Sequence, residues 1–337
     1  MDSTPQAGRS DAGRSDAGTS AAGTGRPAAA AVEFVEIDWR GRRVHVEHEW
    51  LNRERTGAPL LVFLHEGLGS LSMWKDFPQR LCDALGWRGL VWSRPGYGRS
   101  TPRAPDERWD VDFMHRQAHE VLPALLAALR IDPARERLWL FGHSDGASIA
   151  LLYAARFPRA PAGLVVLAPH ILVEPISIAS IEQAARAYRE GGLRERLGPY
   201  HADPDSAFWG WNRIWLHPPF RDWSIEDEIA PIRCPLLAVQ GLDDEYGTLE
   251  QVHGIARRLP QARVLELPDC GHSPHRDHPD LLVAAVRAFV LEHDSADPAP
   301  APPPDPQTSQ SRNASHPAPP LQIRTCGTTA YGSCLGS

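Results

Sequence analysis

Apolar residues in this chain fall into two rhythms that take turns. Short runs at Pro59–Leu64, Gly89–Trp92, Leu138–Phe141, Gly163–Leu167, Pro235–Gly241 and Ala262–Leu267 have the length of strands. Pro59–Leu64 (PLLVFL) is apolar at every position, as suits a strand buried on both faces of a parallel sheet. Between the runs the spacing becomes helical. Over Asp110–Leu129 the residues Val111, Met114, Ala118, Val121, Leu122, Leu125 and Leu129 share one face, with Pro123 expected to kink the helix. Leu282, Val286, Phe289 and Val290 do the same over Pro279–His293, and further helices are expected over Met73–Leu85, after Ser144 and near Leu249–Leu259. Ahead of these, Val32–Trp39 and Val44–Trp50 read as a hairpin turning through Arg40-Gly41-Arg42. Strand and helix alternating in this way predict an α/β architecture, a mostly parallel eight-stranded sheet with helices on both faces.

The pattern stops at both ends. Residues 1–31 are Ala, Gly, Ser, Thr, Arg and Asp, with Ala-Gly-Arg-Ser-Asp repeated between Ala7 and Asp16. Such a segment buries too little apolar surface to offset the entropy of ordering, so disorder is expected. The Pro-rich stretch 294–337 is expected to behave alike. This leaves a core at 32–168 and 232–293. Residues 169–231, helix-like and rich in aromatics and arginine, interrupt the alternation and are expected to fold as a helical cap over the site.

Composition narrows the partners. The net charge of −7 is spread over interspersed acidic and basic residues, which argues against nucleic acid or an anionic membrane surface. No apolar run has the length of a membrane span, and the N-terminus lacks a secretory apolar core. The five cysteines form no CxxC pair, so a reducing cytoplasm is the expected compartment. The expected partner is a small-molecule substrate; oligomeric state is not legible.

The chemistry centres on Gly142-His143-Ser144-Asp145-Gly146, a G-x-S-x-G pattern between a predicted strand and a predicted helix. That setting is what a nucleophile elbow requires: a sharp turn lifts the serine to the sheet's edge. The new helix also points its N-terminal N–H groups at any oxyanion forming beside Ser144. A serine needs a base oriented by an acid. Downstream, one strand runs into Leu242-Asp243-Asp244-Glu245 and the next into Pro268-Asp269-Cys270-Gly271-His272, placing carboxylates and then a histidine at strand ends in the order Ser, acid, His.

Over 32–293 the chain resembles the α/β-hydrolase superfamily. The resemblance rests on GHSDG, on His65-Glu66-Gly67-Leu68-Gly69-Ser70, on Arg94-Pro95-Gly96-Tyr97-Gly98-Arg99-Ser100, on Gly241-Leu242-Asp243-Asp244 and on Gly271-His272-Ser273-Pro274. It implies Ser144 as nucleophile, His272 as general base and Asp244 as the acid, with Asp243 the runner-up. It further implies an oxyanion hole from the N–H of Asp145 and that of Gly67 or Leu68. Two positions depart from the family. Glu66 stands where a glycine is usual; a carboxylate facing an oxyanion would oppose the reaction, so Glu66 is expected to turn away, towards Arg94. Ser93 stands where Asp commonly precedes Arg-Pro-Gly, which should remove a loop hydrogen bond and nothing catalytic.

A serine at the elbow argues against the epoxide-opening and dehalogenating members, which use Asp there. Hydrolysis of a carboxylic ester or lactone, with no cofactor, is the expected activity. Cleavage of a C–C bond in ring-cleavage products is the nearest rival, and a triad-retaining binding protein with negligible turnover is the rival from another class. In the cap, Trp209, Trp211 and Trp215 are candidate walls of a pocket for an apolar or aromatic acyl group, and Arg213 a candidate partner for a substrate carboxylate. His272, His275 and His278 have ligand-like spacing, but no metal site is expected there.

Overall fold

The computed structural model describes residues 32–294. The disorder expected for both tails lies outside the described residues. Eight strands form one sheet: β1 (Glu33–Trp39), β2 (Arg42–Leu51), β3 (Leu60–Leu64), β4 (Arg88–Trp92), β5 (Leu138–His143), β6 (Pro161–Leu167), β7 (Leu236–Gly241) and β8 (Ala262–Leu267). Their spatial order is β1-β2-β4-β3-β5-β6-β7-β8. β2 pairs antiparallel with β1 and β4, and every later pairing is parallel. The hairpin closes as expected, with Trp39 opposite Arg42 across a two-residue turn. Arg40 and Gly41 both have positive φ (56° and 71°), the geometry that matches the twist of paired strands.

Among the described residues ten α-helices accompany the sheet: α1 (Phe77–Leu85), α2 (Phe113–Arg116), α3 (Leu122–Ala128), α4 (Asp145–Arg156), α5 (Pro175–Glu190), α6 (Leu193–Leu197), α7 (Pro204–Trp215), α8 (Glu250–Arg258), α9 (Pro274–Asp277) and α10 (Pro279–Asp294). Side chains alternate across the strands, so β3 sends Leu60, Val62 and Leu64 into one apolar layer and Leu61 and Phe63 into the other. The first layer packs under α2–α4 and α8, the second under α1 and α10. Burying strands on both faces is what a continuous apolar run demands.

Two helix expectations need correction. The helix expected from Met73 starts at Phe77 instead, after a 3₁₀ turn (Leu71–Trp74) and a left-handed Lys75 (φ 57°). Pro78 fits only in a first turn, where its missing N–H has no helical partner. The helix expected from Asp110 starts at Phe113 and is broken by a π-helical turn, Gln117–Val121, just ahead of Pro123. The wider turn spares the proline ring a clash with the preceding carbonyls.

Between β6 and β7 run α5, α6, α7 and two 3₁₀ turns (Gly198–Tyr200 and Pro218–Asp222). Their inward side chains, including Ile181, Phe208, Trp211, Trp215 and Phe220, merge with the first apolar layer. The whole of 32–293 is one compact unit, and the cap segment shares the core's apolar interior.

Candidate active site

The strands set the site's frame, because β3, β5, β7 and β8 run parallel and end along one edge. β5 ends in a turn so tight that Ser144 adopts φ 54° and ψ −121°, a strained conformation of the kind kept at functional positions. Two glycines make the turn possible. A Cβ on Gly142 would lie 2.4 Å from the Gly146 carbonyl oxygen, and one on Gly146 would lie 2.1 Å from that of Leu64. The Ser144 N–H is tied to the Leu167 carbonyl (2.9 Å), and α4 starts at Asp145, its N-terminus beside the serine.

After β7, Asp244 turns inward while Asp243 stays exposed. Asp244 Oδ1 accepts from the Tyr246 N–H (2.9 Å) and meets His272 Nδ1 (2.8 Å), and Oδ2 accepts from Gln240 Nε2 (3.2 Å). Burial opposes ionisation of Asp244, but the hydrogen bond and charge of His272, with the Tyr246 amide, outweigh it and lower its pKa. For His272 burial favours the neutral ring, yet Asp244, helped by Glu245 and Glu66, raises the pKa above the usual histidine value. With Nδ1 held by Asp244, Nε2 is the ring nitrogen left for chemistry.

Ser144 and His272 line one cavity of about 90 Å³, together with Glu66, Gly67, Leu68, Asp145, His170, Ile181, Trp211, Trp215 and Tyr246. Ser144, Asp145, His170, Ile181, Trp211 and Trp215 are buried, whereas Glu66, Leu68, Tyr246 and His272 are half-buried and form the mouth. Asp145, Gly67 and Leu68, the residues expected to supply the oxyanion hole, thus all border the space beside the serine. The Asp145 side chain is fully buried. Its carboxylate accepts from Trp215 Nε1 (3.2 Å) and lies 3.8 Å from Arg94 Nη1, and burial, partly offset by Arg94, raises its pKa. His170 is held neutral, pushed down to about 3 by burial and by the nearby His272.

Glu66 is only partly where the sequence suggested. Arg94 donates to its carbonyl oxygen (2.8 Å), not to its carboxylate. The carboxylate reaches His143 Nδ1 (3.6 Å) and Arg276 Nη2 (3.7 Å). Burial alone would raise its pKa, but the adjacent His143, with His65 and His275 behind, carries it far below the usual range. His143 Nε2 donates to the His272 carbonyl (2.7 Å). Glu66 and His143 therefore link the loop after β3 to the loop that carries His272. At the other departure, Ser93 Oγ accepts from the Leu71 N–H (2.8 Å) and donates to the buried Glu47 carboxylate (2.5 Å), so β2 supplies the carboxylate that position 93 lacks.

Of the cap candidates, Trp211 and Trp215 line the cavity, but Trp209 and Arg213 do not. Helical geometry separates them: at 100° per residue, 211 and 215 share one face of α7 and 209 and 213 the opposite one. Arg213 is exposed, and both Arg213 and Arg189 lie against the Trp209 ring (5.5 and 5.0 Å to its centroid). Two larger clefts, of about 360 and 390 Å³, flank Trp109 away from Ser144; the second contains Trp209 and Arg213. Ile181, His170 and Tyr246 escaped sequence reasoning. Tyr246, two residues past Asp244 and with its ring 4.7 Å from that of His272, was the one proximity could have found. The three spaced histidines diverge: His272 meets Asp244, His275 packs on Trp74 (4.9 Å), and His278 donates to the Asp269 carbonyl (3.0 Å).

The model of the alpha/beta hydrolase family matches residues 61–285. Among curated relatives, a 2-hydroxy-6-oxo-6-phenylhexa-2,4-dienoate hydrolase of Burkholderia cepacia is 23% identical over 278 residues, covering 74% of this chain and 92% of its own. Among solved structures, a thermophilic esterase from Thermogutta terrifontis superposes with a TM-score of 0.61 at 21% identity, over 78% of this chain and 99% of that one. The enol-lactonase from Burkholderia xenovorans LB400 does so with a TM-score of 0.57 at 18% identity, over 74% and 97%. At such identities the structural likeness speaks for the fold alone.

Proposed function

The chain belongs to the alpha/beta hydrolase family, and from that premise we propose that it is a serine hydrolase cleaving a carboxylic ester or lactone with an apolar acyl part. The observation that carries this reading is a single cavity into which a strained Ser144 and an Asp244-paired His272 both face. In the reaction His272 Nε2 takes the proton of Ser144 Oγ as the oxygen attacks the substrate carbonyl. The oxyanion that forms accepts hydrogen bonds from the Asp145 N–H and from that of Gly67 or Leu68. Asp244 stabilises the imidazolium, which returns its proton to the departing alkoxide. Water, activated by the same ring, then releases the acid from the acyl-enzyme and restores Ser144. The steps use water and no cofactor.

The dienoate hydrolase among the relatives makes C–C cleavage the second reading. The 90 Å³ cavity argues against so large a substrate, and an ionised Glu66 at its mouth argues against so acidic a one. The binding-protein alternative differs from both in kinetics: it would let a phosphonate label Ser144 without turnover. The test is release of p-nitrophenol from esters and opening of lactones by the purified chain, with Ser144→Ala as control. Catalysis lost in the variant supports the reading; labelling of Ser144 with no turnover of esters, lactones or dienoates refutes it.

A further inference from the structure

We infer that the site accepts only short acyl groups, from acetyl to about butyryl, and that Trp211 and Ile181 set this limit. The inference rests on the serine-hydrolase reading and deepens it. Size comes first. A cavity of ~150 Å³ lined by apolar side chains is what a benzene ring occupies. The space beside Ser144 is about 90 Å³. That is little more than half the space a benzene ring takes, so with the carbonyl carbon against Ser144 Oγ the pocket suits a short alkyl chain better than a phenyl ring.

The wall is also braced. Trp215 is pinned by its hydrogen bond to Asp145 (3.2 Å) and by edge contacts with His170 (4.9 Å) and Phe220 (5.1 Å). Trp211 presses on the loop after β3 so closely that a Cβ on Gly67 would lie 2.2 Å from its Nε1. Ile181, on α5, is fully buried, and the Asn212 amide, next to Trp211, donates to the Ile181 carbonyl (3.0 Å), locking α5 to α7. A close-packed wall held at this many points resists expansion, so an extra methylene meets overlap. The half-buried residues lie only at the mouth, which leaves the alcohol part of the ester on the solvent side.

The chemistry of the floor agrees. His170 is neutral and, beside Ser144 and Asp145, the other deep walls are indole and aliphatic, so the acyl group they suit is uncharged. This sharpens the expectation of an aromatic acyl part into its opposite: the cap's tryptophans occupy the room that an aromatic substrate would need.

The test is kcat/KM of the full-length protein on p-nitrophenyl acetate, butyrate, octanoate and benzoate. Acetate or butyrate should be fastest, with octanoate and benzoate slower by about tenfold or more. Trp211→Ala should raise the octanoate-to-acetate ratio about tenfold, and Ile181→Ala should move it the same way should the first variant fail to fold. Wild-type protein turning over octanoate or benzoate as fast as acetate would overturn the inference while the serine-hydrolase reading stands. An unchanged ratio in both folded variants would overturn the assignment of these two side chains. No ester turnover together with no phosphonate labelling of Ser144 would remove the reading and the inference together.

Discussion

The two walls of the catalytic cavity are built by different rules. On the core side, Gly67, Ser144, Asp244 and His272 each sit just past the end of a strand, and backbone pairing fixes where those ends lie. On the cap side, Ile181, Trp211 and Trp215 come from helices placed by side-chain packing and by a few bonds such as Trp215 to Asp145. The core wall carries chemistry that tolerates little displacement; the cap wall carries shape, which a single side chain can change. Substitutions on the core side should therefore remove turnover, and those on the cap side should alter stability or selectivity.

The largest effect belongs to the core wall. Ser144→Ala should lower ester turnover by about 10⁴-fold or more with the thermal midpoint nearly unchanged, read by kinetics beside a melting curve. Asp244→Asn should cost about 10⁴-fold at neutral pH, because the ring loses the partner that sets its tautomer. The pH profile supplies a sign. His272 must be neutral to act, and its pKa is raised, so kcat/KM should climb through a midpoint above 6.5. The stabilising effect of the charged ring beside Asp244 runs the other way, complete below the unfolded histidine pKa and lost as pH rises through the folded one. In Asp244→Asn the opposing effect of burial is left to dominate, and the midpoint should move down.

A middle-sized effect tests the elbow's geometry. Gly146→Ala forces a methyl group against the Leu64 carbonyl and should cost about 3 kcal/mol of stability in denaturant titration, since backbone must move to admit it. On the cap wall, Trp215→Phe keeps the ring but leaves the buried Asp145 carboxylate short of a donor, with an expected loss of about 1–3 kcal/mol. The smallest effect is the most specific. Glu66→Gln keeps the shape of the loop but removes a negative charge that raises the His272 pKa, so the acid limb of kcat/KM should shift to lower pH. An unmoved limb with unchanged stability would mean that Glu66 and His143 do not couple the two loops.

The same division explains what could be read in advance. The strands were legible because continuous apolar runs have few other uses, and GHSDG was legible because only that turn needs glycine at both Gly142 and Gly146. The resemblance favoured Asp244 and kept Asp243 as runner-up; the residues alone left both open, since one position decides which carboxylate turns inward at the end of β7. Helical spacing already put Trp211 and Trp215 on one face, but which face of α7 would meet the cavity, and so that Trp209 would not, was not legible. Ile181 and His170 carry no local signal. They reach the cavity only because the segment between β6 and β7 folds back over β5, a long-range outcome of packing. Glu66 had a visible charge, but Arg94, the partner expected for it, meets only its carbonyl, and the carboxylate's neighbours His143 and Arg276 lie far along the chain.

The central claim is that Ser144 is a nucleophile activated by His272. Its most direct test is intact-mass and peptide analysis after brief exposure to a small alkyl fluorophosphonate at pH 8. The account predicts one adduct per chain, on the peptide bearing Ser144, absent in Ser144→Ala and strongly slowed in His272→Ala. A wild-type protein that stays unlabelled, or that carries the adduct on another residue, would contradict it.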